Sequence, residues 1–208
     1  MAQDKETREL LIKSAKAEFM EKGYNKASLR SICSDAGVTT GALYFFFEDK
    51  ADLFKAIVGK AVDGIFEIMQ AHFEEDENLV AGAAPDAEPD EYIDDHSEIA
   101  QLLIHHIYSN YDVAMLVLTK SQGSEYENIV DRIVEITENK SIEMMDKISE
   151  KTGKKKKVNK YMLHLVVHIV VDSFVQLVIH EPDEKKALES IKKVFKMTMH
   201  NWTETVID

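Results

Sequence analysis

The chain has 208 residues, 45% of them hydrophobic, and a net charge of −13. That length suits a small module plus one domain with a real core, and the acidic balance argues against a general nucleic-acid coat. A single cysteine, Cys33, excludes an intrachain disulfide framework, and the polar start MAQDKETREL lacks a secretory pattern; both fit a cytoplasmic protein.

The first predicted helix runs from about Lys5 to Lys22, with Leu11 or Ile12, Ala15 and Phe19 inward and Gly23-Tyr24 as its C-terminal cap. Ser28 caps a second, short helix whose inner side is Leu29, Ile32, Cys33 and Ala36, and Gly37 ends it. Cys33 thereby takes a packing role. Val38 plugs the corner, and Thr39 caps a third helix from Thr40 to Phe46. Leu43 and Phe47 point inward from it, whereas Thr40, Gly41, Tyr44 and Phe45 point outward. Two short helices, a Gly turn and an exposed, uncharged second helix make the helix-turn-helix pattern, which sends that helix into a DNA major groove.

The run AGVTTGALYFFFEDKADLF resembles the DNA-binding segment of TetR-type transcriptional regulators. Their usual form is AGV, Ser or Thr, any residue, Gly, two residues, Tyr, two residues, Phe, two residues, Lys, then an apolar residue. Gly37, Gly41, Tyr44, Phe47 and Lys50 stand at those spacings. The resemblance covers about the first 55 residues. It implies an all-α protein of about nine helices, a DNA-binding head at 1–48 and a body at 49–208 for effector binding and dimerisation. The chain departs from the family pattern at Thr40, Phe45 and Phe46, where basic or polar side chains are common.

Asp49, with Asp52 three residues on, caps a fourth helix from Lys50 to about Glu75 that bears an apolar stripe from Leu53 to Met69. Residues 74–98 hold eleven acids and no Lys or Arg, and read as a flexible connection. Asp94, Asp95 and His96 in it are only a weak cation signal. Helices follow at Ile99–Asn110 and Asp112–Lys120. Ser124 with Glu127 reads as the capping box of a long helix ending near Lys151. The lysines at 154–157 read as a solvated loop. Val158–His180 is apolar almost all round, although its core run Leu165–Ile179 is too short for a membrane span and is broken by His168, Asp172 and Gln176. The last helix is Asp183–Val206. Family resemblance pairs these two helices with a second copy in a four-helix homodimer interface.

Direct readout of double-stranded DNA falls to Thr39, Thr40, Gly41, Tyr44, Phe45 and Phe46, with Ser28 and Lys50 as phosphate anchors. A homodimer implies a pseudo-palindromic operator. Residues 1–55 carry nine Lys or Arg and nine Asp or Glu, so the whole net charge lies beyond them. A neutral head on an acidic body favours one docking orientation. For an unidentified small-molecule effector, Phe66, Met69, His105, Tyr108, Met115, Tyr126, Met144, His168 and Asp172 are lining candidates, and core packing explains each equally well. His164, His168 and Asp172 share one helix face at metal-ligand spacing. Adjacent turns cannot all reach one ion, so a metal needs a further ligand from elsewhere. A polar seam is the simpler expectation, and no metal or cofactor is assigned. The functional expectation is a repressor, not an enzyme, released by its effector. The alternative is a metal- or ligand-binding helical bundle using the body histidines.

Overall fold

The computed structural model describes residues 2–82, 97–153, 157–199 and 205–206, and among them nine α-helices. They are α1 (Ala2–Lys26), α2 (Leu29–Asp35), α3 (Thr40–Phe46), α4 (Lys50–Gly82), α5 (Ser97–Ser109), α6 (Tyr111–Lys120), α7 (Ile129–Thr152), α8 (Lys160–His180) and α9 (Glu184–Met199). The all-α expectation holds. Asp94, Asp95, His96 and the lysines at 154–156 lie outside the described residues. Packing divides the chain into two units, one of residues 1–64 with 110–129, the other of 65–109 with 130–208.

The first unit is built on α1. Leu11, Ala15 and Phe19 are fully buried, and α1 breaks its helical geometry at Gly23, where φ is 76°. Beyond that break Tyr24 folds back, with its ring 5.9 Å from Phe19 and 5.1 Å from Phe54. A polar brace runs beside this aromatic core. Glu18, only 8% exposed, accepts from Lys22 Nζ at 2.8 Å, from the Ser28 N–H at 3.0 Å and from Ser31 Oγ at 3.0 Å. Burial pushes its carboxyl up, but these donors together outweigh burial and hold it below the ordinary value. Ser14 donates to Asp35 at 2.6 Å, so both ends of α2 are fastened to α1. Lys16 pairs with Asp112, which ties α6 to α1 within the same unit and holds the Asp112 carboxyl low.

Between α6 and α7 the sequence expectation fails. Ser124 and Glu127 do not cap a helix beginning there, because α7 starts at Ile129. Ser124 Oγ accepts from the Tyr126 N–H at 3.1 Å, and Glu127 accepts from the Gly123 N–H at 2.7 Å. The same residue types that make a capping box have here folded a loop onto itself. Gly123 has φ 88°, and a Cβ on it would stand 1.9 Å from Asn25 Oδ1. Only glycine fits.

In the second unit α4 outruns its expected end near Glu75 and continues to Gly82. The described start of the expected flexible connection is therefore helical, and one of its acids finds partners: Glu77 meets Lys147 at 2.9 Å and Lys140 at 3.7 Å, both on α7. Val80 packs with Met145 and Ile148, and Lys151 Nζ takes the carbonyls of Val80 and Ala81 at 2.6 and 2.7 Å. A cation on the last carbonyls is a favourable helix end. Ala100 and Ile104 of α5 pack on Ala187, Ile191 and Phe195 of α9. Leu163, Val166 and Val167 of α8 pack with Val134 and Val206. α8 extends beyond the apolar run Leu165–Ile179 at both ends. With the turn before Leu165 included, an 18-residue window reaches mean hydropathy 2.0 and is long and apolar enough to cross a membrane by length and composition. Only 22% of that window is buried.

Two stability changes follow from the first unit. Glu18→Gln should lower unfolding stability by about 1.5–3 kcal/mol at pH 7, the usual worth of a hydrogen bond to a charged group. The native carboxyl titrates below the unfolded value of 4.5, so the contribution is complete above that value. It fades as pH falls through the native pKa. Urea midpoints of the two proteins should therefore converge in acid. Gly123→Ala should cost about 2 kcal/mol or more through its positive φ and the Asn25 clash. Gly82→Ala, which meets nothing within 4 Å, should be near neutral in the same thermal melts.

Candidate nucleic-acid interface

The two short helices are shaped by their ends. Ser28 is extended and its hydroxyl accepts from the Ser31 N–H at 3.4 Å, which starts α2. At the other end the Val38 N–H bonds the Cys33 carbonyl at 2.9 Å and the Gly37 N–H bonds that of Ser34 at 3.3 Å. This paired pattern needs a left-handed residue between its arms, and Gly37 with φ 68° supplies it. Thr39 then caps α3, accepting from the Ala42 N–H at 3.2 Å. Leu43 and Phe47 are buried, and Cys33 is too, with burial raising its thiol pKa. The turn therefore fixes which face of α3 looks outward.

That face carries Thr40, Gly41, Tyr44 and Phe45, all exposed. Tyr44 is 57% and Phe45 75% exposed, a large outlay of aromatic surface on a seven-residue helix. Phe46 is half-buried and its ring meets Phe45 edge-on at 4.9 Å. A Cβ on Gly41 would come no nearer than 3.8 Å to Thr39 Oγ1. The protein's own packing therefore does not require glycine there, and the surface is open to a close-approaching partner.

Lys50 is placed differently from a free phosphate anchor. Its Nζ bonds the Tyr24 carbonyl at 2.9 Å and that of Asn25 at 3.4 Å, and lies 4.6 Å from the Tyr24 ring centroid. Lys50 thus pins the start of α4 to the end of α1. Asp49 accepts from the Asp52 N–H at 2.8 Å, and Asp52 reaches back to the Glu48 N–H at 3.0 Å, so α4 is capped as its sequence implied. Arg8 lies over the Phe47 ring at 5.2 Å. Sequence reasoning missed Glu18: Lys22 stands at helical spacing from it, but Ser28 and Ser31 lie 10 and 13 residues away and follow no helical period.

The effector candidates are scattered among different surroundings. Met115 and Tyr126 lie in the first unit, where Tyr126 is buried beside Phe54. In the second, Phe66 lies under the Arg132 guanidinium and Met69 is buried. Tyr108 bonds the carbonyls of Leu177 and Glu181 near the end of α8, whereas Met144 packs beside the Val80 cluster. His105 is exposed and pairs with Glu184 at 3.0 Å. His168 and Asp172 stand 3.8 Å apart on α8.

Fold and interface together define a helix-turn-helix head within an all-α chain. Residues 11–57 match the family of bacterial regulatory proteins named tetR. The transcriptional repressor BepR of Brucella suis is 48% identical over 60 residues, 29% of each chain. The transcriptional regulator AcrR of Shigella flexneri is 44% identical over 52 residues, 25% of this chain and 24% of that one. These matches span under a third of the relatives' lengths. The solved structure of NalD from Pseudomonas aeruginosa, a repressor of the MexAB-OprM efflux pump, shares the fold with a TM-score of 0.57. It is 15% identical, over 95% of this chain and 98% of that one. The likeness to the tetR family of bacterial regulatory proteins thus lies in the head, at residues 11–57.

Lys50→Met should lower the urea midpoint, because two helix-end carbonyls lose their cation. It should leave the slope of log affinity against log salt for DNA unchanged. A slope shallower by about one would instead mark Lys50 as a phosphate contact.

Proposed function

We propose that this protein is a homodimeric, sequence-specific DNA-binding repressor relieved by a small molecule. The observation that carries the reading is the exposed, uncharged α3 face of Thr40, Gly41, Tyr44 and Phe45, held out by capped ends and a left-handed turn. With so few charged groups on that face, specificity falls to hydroxyls and to apolar contact with thymine methyls. The Ser28 and Thr39 hydroxyls already cap helices and keep lone pairs for a phosphate or base edge. Residues 1–48 act as the reading head, and 49–208 as the effector-binding and dimerisation body.

A seven-residue helix reads only a few base pairs, so two copies are needed on a two-fold-related site. Apolar surface is available for that pairing: Tyr161, Leu165 and Ile169 form an exposed stripe along α8, and Met197 is exposed on α9. Such a stripe on a soluble regulator is the kind of surface a second copy covers. The effector acts by population shift, favouring a body conformation that sets the two heads at the wrong spacing.

Selection from a random DNA pool tests the reading. Wild type should enrich a two-fold-symmetric sequence, and Tyr44→Ala should lose at least tenfold in affinity for it while keeping its thermal midpoint. Enrichment of nothing beyond salt-sensitive background would sink the proposal.

A further inference from the structure

The geometry points to a divalent transition-metal site on the body formed by Glu138 of α7 with His164 and His168 of α8, suited to Zn²⁺. One ligand atom from each of the three lies within 4.8 Å of the others. His164 and His168 are one turn apart on one helix, and Glu138 is the ligand from elsewhere that a single helix face cannot provide. Two imidazoles and a carboxylate are the donor set of open zinc sites, which leave a position for water or another ligand.

Details of the cluster favour an ion over a plain ion pair. The His164 and His168 rings are 4.4 Å apart, centroid to centroid. His168 Nδ1 faces Asp172 Oδ2 at 3.8 Å on the side of the next turn. That leaves Nε2 for a metal, with Asp172 in the outer position from which carboxylates orient metal-bound histidines. His164 Nδ1 stands 2.6 Å from Glu138 Oε1. Ligand atoms on a tetrahedral ion are about 3.3 Å apart, so this pair opens by about 0.7 Å when the ion replaces the bridging proton. All three side chains are partly exposed, at 25% for Glu138, 50% for His164 and 35% for His168. An ion therefore enters from solvent without burying a bare charge.

The site joins α7 to α8. His164 and His168 also adjoin Leu165 and Ile169 of the exposed stripe along α8. Metal occupancy would hold this part of α8 in one position against α7. The inference stands independently of DNA recognition, because binding is read from the metal itself.

The test is a Co²⁺ titration of the full chain followed by visible absorption, with Zn²⁺ in competition. Wild type should take up one equivalent with the ligand-field bands of an N/O site, and Zn²⁺ should displace it. Glu138→Gln and His168→Ala should each weaken binding at least tenfold, and Asp172→Asn by about tenfold as an outer-shell change. His105→Ala, outside the cluster, should bind as wild type does. Circular dichroism selects variants that keep the fold. As a readout free of substitution, imidazole ¹⁵N signals from two histidines should move on adding Zn²⁺ to wild type. No Co²⁺ uptake at 1:1 by wild type, or equal affinity in folded Glu138→Gln and wild type, would overturn the assignment.

Discussion

The candidate interface depends on a buried carboxylate. Glu18 sits on α1 with little exposure, and its oxygens are taken by Lys22, by the first N–H of the cap preceding α2 and by Ser31 within α2. A lone carboxylate at that burial would be costly; one with three donors is an anchor. Its acceptors point at the N-terminal end of α2, where free N–H groups carry partial positive charge. Ser14 fastens the other end through Asp35. Because α2 cannot rotate on α1, the turn at Gly37 delivers α3 in one orientation, with Leu43 inward and Tyr44 outward.

In both units a lysine closes the end of a neighbouring helix. Lys50 holds the last carbonyls of α1, and Lys151 holds those of α4. In each case the cation comes from another helix, so one contact satisfies orphan acceptors and fixes an inter-helix position together. For Lys50 this changes the meaning of a residue that the resemblance marks strongly. Its spacing from Tyr44 and Phe47 is explained by the reach from the first turn of α4 back to Tyr24, a demand that exists without DNA. Phosphate contact is a second demand on a group already engaged.

What could be read from sequence was local. Ser28, Thr39 and Asp49 cap the helices they precede, because a cap is decided within three or four residues and each is followed by an apolar pattern of the right period. Ser124 and Glu127 meet the same local test, yet bond Tyr126 and Gly123 inside a loop. Asn25 and Phe54, far off in sequence, decide there: the loop must bring Gly123 to one and Tyr126 to the other. At Glu77 the acidic pattern misled for a related reason. Charge repulsion was visible in the chain, whereas Lys140 and Lys147, which neutralise Glu77, stand more than sixty residues on. Glu18 and Glu138 were illegible on the same ground, since Ser28 and Ser31 for the one and His164 for the other obey no period. The outward face of α3 could be read because helical spacing alone assigns it.

The polar seam on α8 shows how this limit bears on function. Spacing placed His164, His168 and Asp172 on one face and left open whether anything joined them. The fold answers with a carboxylate from α7, and it also leaves Tyr161 69% exposed with Leu165 and Ile169 in the same stripe. A helix as apolar as α8 would ordinarily bury such a stripe or keep polar groups away from it. Here ionisable groups and uncovered apolar side chains alternate along one side. A packed core alone would favour neither feature. A surface that meets another chain, with a small charged site at its margin, accommodates both: the apolar positions supply area and the histidines a condition on their arrangement.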